Sequence, residues 1–150
     1  MTIEARIDQD LKAAMLSGDQ SRVSTLRGIK SAILYEKVAK GLRDTGIDDQ
    51  AVTGLLMKEA KKRQESADLF RRGGDSSRAE AEIAEKSIIE QYLPQQLSDD
   101  ELKDLINRTI DELGIKLPQD FGKLISVVKD KVKGSADGGR ISAMIKNREA

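Results

Sequence analysis

The chain has 150 residues, 38% of them hydrophobic and 35% charged, and its 26 Lys and Arg equal its 26 Asp and Glu. With no net charge there is no global field to gather nucleic acid or an anionic membrane, so any electrostatic site must be local. The lack of cysteine and histidine excludes disulfides, thiolate nucleophiles and thiolate zinc sites, and removes the commonest general base.

The length fits one domain or two small ones. Aromatic residues make up only 3% of the chain, so its core must be aliphatic, a composition that suits helices better than sheets. The N-terminus has no apolar signal core, and no apolar run approaches the ~20 residues that span a bilayer. The expectation is a soluble cytoplasmic protein with no membrane partner.

Thr2 is placed to cap a first amphipathic helix, with Ile3, Ile7, Leu11, Ala14 and Met15 on one stripe and Gly18 as its left-handed stop. A second helix starts near Asp19 or Ser21 and runs to about Ala39, burying Val23, Leu26, Ile29 and Ile33. Residues Leu42 to Ile47 form a polar loop. Asp48 or Asp49 caps a longer third helix that ends at Gly73-Gly74. Its inner face mixes apolar residues with Glu59 and Arg63, which are four apart and able to pair. Asp75, Ser76 or Ser77 caps a fourth helix, which carries Ile83, Ile88, Ile89 and Tyr92 towards Pro94.

Pro94 lacks an amide donor and disfavours helical geometry at Leu93, so the fourth helix is expected to stop there. Ser98 followed by Glu101 is a capping box that opens a fifth helix, over Leu102 to Leu113. Tyr92, Leu93, Pro94 and Leu97 thus read as a packed hinge. Beyond it, Phe121 to Val132 form a sixth helix, Ser135 to Gly139 a turn with Asp137 as cap, and Ile141, Met144 and Ile145 a last one. The fold class is all-α. An N-terminal helical domain of about four helices is expected over residues 1–94, and a C-terminal three-helix bundle over 95–150.

Two basic groups could meet phosphates. Lys58, Lys61, Lys62 and Arg63 lie at helical spacing and could follow a nucleic-acid backbone. Lys123, Lys129, Lys131, Lys133, Arg140 and Lys146 make the C-terminal segment locally basic. The helix N-termini near Phe121 and Gly139 would add amides that favour anions. Without stacking aromatics such a surface would grip backbone rather than splayed bases. The plainer reading of both groups is a solvated helix face. Glu82 and Glu85 read as salt-bridge partners, and Gly73-Gly74-Asp75-Ser76-Ser77 as a helix stop and cap. No catalytic residue, metal ligand or cofactor site is expected.

Several strings together resemble the GatB/YqeY family, in particular its stand-alone YqeY-like members. They are Leu26-Arg27 with Lys30-Ser31-Ala32-Ile33; Lys61-Lys62-Arg63-Gln64-Glu65-Ser66-Ala67 with Phe70 and Gly73-Gly74; Glu82 and Glu85; Tyr92-Leu93-Pro94-Gln95-Gln96-Leu97-Ser98; Gly122-Lys123; and Gly134-Ser135-Ala136-Asp137-Gly138. Ser135 stands where the family tends to have an arginine, and Phe121 where it tends to have methionine. The resemblance implies a small C-terminal bundle similar to the tail of the B subunit of tRNA-dependent amidotransferases, which helps to hold misacylated tRNA. The family association is carbon–nitrogen ligase activity with glutamine as amide donor. This chain carries neither the kinase-like domain nor the amidase, so a non-catalytic, tRNA-linked accessory module is the expectation, not an enzyme on its own. The alternative is an adaptor that docks an aminoacyl-tRNA synthetase or an amidotransferase subunit without touching RNA.

Overall fold

The computed structural model describes residues 1–149, and all regular structure among them is helical. The helices are α1 (Ile3–Ser17), α2 (Gln20–Ala39), α3 (Asp49–Arg72), α4 (Ser76–Glu90), α5 (Asp99–Leu113), α6 (Phe121–Val132) and α7 (Gly138–Glu149). The chain divides into two compact units, Met1–Leu93 and Pro94–Ala150.

Most helix starts follow from a short side chain that satisfies an otherwise orphaned amide; the α6 N-cap, Asp120, makes no such bond. Thr2, Asp19, Asp48 and Asp75 accept the N–H of Ala5, Arg22, Ala51 and Arg78. Ser98 and Glu101 form the full reciprocal capping box of α5. Gly18 and Gly114 close α1 and α5 in left-handed geometry, with φ of 75° and 61°. A side chain there would meet its own backbone, so glycine is the low-strain choice.

Unit 1 is built on one aliphatic cluster. Ile7 and Leu11 of α1, Val23, Leu26, Ile29 and Ile33 of α2, Val52 and Leu56 of α3, and Ile89 of α4 are its large buried members, joined by Tyr92 and by the small Ala14 and Ala60. The far end of the α3–α4 hairpin, next to Gly73-Gly74, is held differently. Ala67 and Ala79 are fully buried there, and small side chains let two helices approach closely. Charged groups fasten the seam between the two. Arg63 Nη1 pairs with Glu59, and its Nε lies 3.3 Å from Glu85 Oε2. Lys86 Nζ donates to Gln64 Oε1 at 2.9 Å, and Gln64 donates in turn to Asp68 at 3.0 Å.

Unit 2 packs α5, α6 and α7 around Leu102, Ile106, Leu124, Val128, Ile141 and Ile145, with Phe121, Ile125 and Met144 at its edge. Thr109 is fully buried between them. Its hydroxyl donates to the Leu105 carbonyl at 2.8 Å and accepts from Lys131 Nζ at 3.1 Å, so it is not left unpaired.

One boundary differs from the sequence expectation. Regular α4 ends at Glu90, not at Leu93. The amides of Gln91, Tyr92 and Leu93 bond three residues back, to Ile88, Ile89 and Glu90. A tightened last turn of this kind spreads the effect of Pro94 over several residues.

Candidate nucleic-acid interface

The joint between the units is shorter than the hinge read from the sequence. Tyr92 is 3% exposed and belongs to the core of unit 1, with Leu93 packed against it. The Tyr92 hydroxyl donates to Asp10, the Arg6 guanidinium lies 5.2 Å from its ring centroid, and Arg22 lies 3.9 Å from the same carboxylate. On the other side, Leu97 packs into the core of unit 2. Its amide donates to the Ser135 carbonyl at 2.8 Å, and its carbonyl accepts from Arg140 Nη2 at 2.6 Å. Gln96 donates to the Gly134 carbonyl at 3.0 Å. Gln96 also donates to the Pro94 carbonyl at 3.2 Å.

Burial, and then the Asp10 carboxylate that takes its hydrogen bond, push the Tyr92 phenol up from its usual 10 to about 12. A raised folded-state value means that this group's contribution is complete below pH 10 and is lost as pH climbs from 10 through 12. Allowing for solvent screening, we expect about 1–2 kcal/mol to be lost over that window. Tyr92→Phe should start about 1 kcal/mol less stable at neutral pH and should lack that part of the alkaline loss. Urea unfolding of both proteins from pH 8 to 12 measures it, because titration of the lysines is common to the two and cancels in the difference.

The basic residues of unit 1 fall into two classes. Arg63 lies in the α3–α4 seam between Glu59 and Glu85. Its Nη1 and Nε are engaged inside the unit, which sets it apart from the exposed lysines of the same helix. Lys62 sits 3.3 Å from Glu59 but stays largely exposed. Lys58 and Lys61 are exposed.

In unit 2 the same sorting holds. Lys131 contacts Thr109 and Glu112. Arg140 holds the Leu97 carbonyl and Asp99. These two are structural ties rather than free phosphate ligands. Lys123, Lys129 and Lys133 are exposed, and the Lys146 ammonium lies 5.9 Å from the Phe121 ring centroid while remaining open to solvent. The Lys129 ammonium approaches the Gly138 backbone closely enough that a Cβ there would meet it at 3.5 Å. The helix N-termini carry carboxylates of this chain. Asp120 accepts the Lys116 amide at 3.0 Å, and Asp137 accepts the Arg140 amide at 2.6 Å. The capped α7 N-terminus offers less to an outside anion than the sequence suggested, whereas Asp120 caps none of the α6 amides.

Charge is segregated within unit 2. Residues 116–149 hold eight cationic side chains against four anionic, whereas α5 holds six anionic against two cationic. The unit is therefore polar in charge although its sum is small.

Lys133 adds a second peculiarity. It closes α6 in left-handed geometry at φ 47°, the one non-glycine residue with positive φ among the described residues. A lysine there costs about 1–2 kcal/mol that glycine would avoid. Strain of this kind collects at functional positions. Lys133→Gly should raise the stability of unit 2 by about 0.5–1 kcal/mol, read as a higher midpoint in thermal unfolding followed by amide NMR of α5–α7.

Among the described residues, no group of three or more carboxylates is close enough to hold a metal ion, and no helix is long and apolar enough to cross a membrane. The family described as Yqey-like protein matches residues 4–148. The chain belongs to this family. Its relatives include the protein named "Altered inheritance of mitochondria protein 41, mitochondrial" of Lachancea thermotolerans, 33% identical over 91 residues, which are 61% of this chain and 48% of the relative. The protein of the same name from Eremothecium gossypii is 30% identical over 89 residues, 59% of this chain and 48% of the relative. That of Kluyveromyces lactis is 29% identical over 127 residues, 80% of this chain and 68% of the relative. The chain thus spans about half the length of the first two relatives.

These names overturn the cytoplasmic expectation, because all three relatives are named as mitochondrial proteins. The expectation rested on the lack of an apolar signal core. Mitochondrial leaders are basic and amphipathic instead, so that test is blind to them.

Proposed function

We propose that this YqeY-family chain is a non-catalytic accessory module that holds tRNA through unit 2. The observation that carries the reading is the segregation of charge onto the α6–α7 segment, with Lys123, Lys129 and Lys133 exposed on it. The contact is to backbone phosphate, which each lysine neutralises as a compact cation with release of a counterion. Lys146 lies on the same segment, and Lys58, Lys61 and Lys62 of α3 form an auxiliary patch. A gel shift with total tRNA, at low and at physiological salt, tests the reading. A shift that survives physiological salt supports it. A shift erased by modest salt reduces the segment to ordinary surface charge.

A second reading has its own observation. Leu34, Tyr35 and Val38 of α2 are 50%, 77% and 57% exposed, one and four residues apart on one side of the helix. Such a patch suits an adaptor that docks a protein partner such as an aminoacyl-tRNA synthetase or an amidotransferase subunit. A complex with such a protein that resists salt, formed without RNA, would favour this reading over the first.

A further inference from the structure

Unit 2 also carries a cleft that neither basic group includes. It lies between α5 and α7 and is lined by Lys103, Ile106, Asn107, Met144, Asn147 and Arg148, with about 170 Å³ of free space. The lining comes from matched spacings. Residues 103, 106 and 107 share one side of α5, and residues 144, 147 and 148 share one side of α7. Its floor is apolar, formed by buried Ile106 and half-buried Met144. Its rim is polar, and among the described residues no carboxylate lines it.

The donor set is specific. Arg148 Nε donates to Asn107 Oδ1 at 2.9 Å. That bond leaves both terminal guanidinium nitrogens of Arg148 and the amide nitrogen of Asn107 as donors. The Lys103 ammonium adds three more, and the Asn147 amide offers both a donor and an acceptor. Two cations with a converging amide suit an oxyanion that has several acceptor oxygens. A second amide beside a soft, polarisable thioether floor suits a flat heteroaromatic ring with mixed donors and acceptors at its edge. A bare anion would leave Asn147 and Met144 unused.

We propose that the α5–α7 cleft binds a nucleotide, taking its phosphate at Lys103, Arg148 and the Asn107 amide and its base between Met144 and the Asn147 amide. This deepens the tRNA reading and rests on it for the source of the nucleotide, which is an unpaired residue of an RNA strand. A free nucleotide presents the same chemistry, and the experiment separates the two. The cleft gives a base-reading element to a surface whose lysines read only backbone.

The test is a ¹H–¹⁵N NMR titration of the full chain with inorganic phosphate, with adenosine and uridine 5′-monophosphates, and with a single-stranded tetranucleotide RNA. The side-chain amides of Asn107 and Asn147 should move with the mononucleotides and, at lower concentration, with the RNA. Phosphate alone should bind at least about tenfold more weakly than a nucleotide, the loss expected when one good contact set is missing. The double variant Lys103→Ala/Arg148→Ala should weaken all these ligands about tenfold. Asn147→Ala should weaken the nucleotides and leave phosphate unchanged. The same spectra report whether each variant is folded. Equal binding of phosphate and nucleotide would overturn the proposal, leaving a simple anion site. RNA that moves only signals around Lys123, Lys129 and Lys133 would overturn it while the tRNA reading stands. Mononucleotide binding at the cleft by a protein that ignores RNA would keep the cleft and remove the tRNA reading.

Discussion

Leu124→Ala should unfold most of unit 2 at 37 °C. Leu124 is fully buried at the centre of the three-helix cluster, among Leu102, Ile106, Val128 and Ile141. Truncating it removes three carbons from a close-packed site and leaves a cavity, at a cost of about 3 kcal/mol. A bundle of this size draws only about 3–5 kcal/mol from its core, and unit 2 has no disulfide to add to it. The remainder is about 0–2 kcal/mol. Amide exchange through α5, α6 and α7 should approach the unprotected rate, and far-UV circular dichroism should lose their helical signal. Ser126→Ala, on the exposed face of α6, should change stability by less than about 0.5 kcal/mol. Full protection of α5–α7 in the Leu124→Ala protein would mean that unit 2 has more support than its own core.

The helices were legible because their starts and stops are local. A cap needs one short polar side chain and an amide three residues on, so Thr2, Ser98 and Asp137 could be assigned from spacing alone. The choice between Asp48 and Asp49 could not. The structure uses both: Asp48 caps α3, while Asp49 accepts the Ile3 amide at 3.0 Å, a tie across 46 residues. The end of α4 was misjudged for a related reason. Proline geometry locates the break, but the tightened turn ahead of it depends on where Tyr92 finds its partner, 82 residues away at Asp10.

The site was less legible than the fold, because a charge has no partner until the chain is folded. Arg63 and Lys62 are neighbours in sequence and look alike. Only packing sends one between Glu59 and Glu85 and leaves the other exposed. Lys131 was indistinguishable from Lys129 and Lys133 until α5 brought Thr109 and Glu112 to it. The seam had one local signal, the i, i+4 spacing of Glu59 and Arg63, and that pair does form. The α5–α7 cleft had none. Its two halves lie some forty residues apart, and each half reads alone as ordinary helix surface.

That sorting sharpens the second large prediction. The triple reversal Lys123→Glu, Lys129→Glu and Lys133→Glu should lower tRNA affinity about 100-fold or more at physiological salt. Each lysine lost from a phosphate contact removes the release of one counterion, so the dependence of log affinity on log salt should flatten by about 0.9 per contact on duplex RNA regions. Replacing each lysine by glutamate also adds repulsion, so the fall should exceed that of the matching alanine variants. Fold should be retained, because these side chains are exposed. Lys131→Glu serves as the contrast. It should disturb the packing of Thr109 and Glu112 and show itself first in stability. A gel shift and a salt titration, run beside thermal unfolding, separate the two effects. If the triple variant binds tRNA as tightly as the parent chain, charge on α6 is not what holds RNA. The exposed apolar side of α2, at Leu34, Tyr35 and Val38, then becomes the surface to mutate next, because it offers apolar contact that salt does not screen.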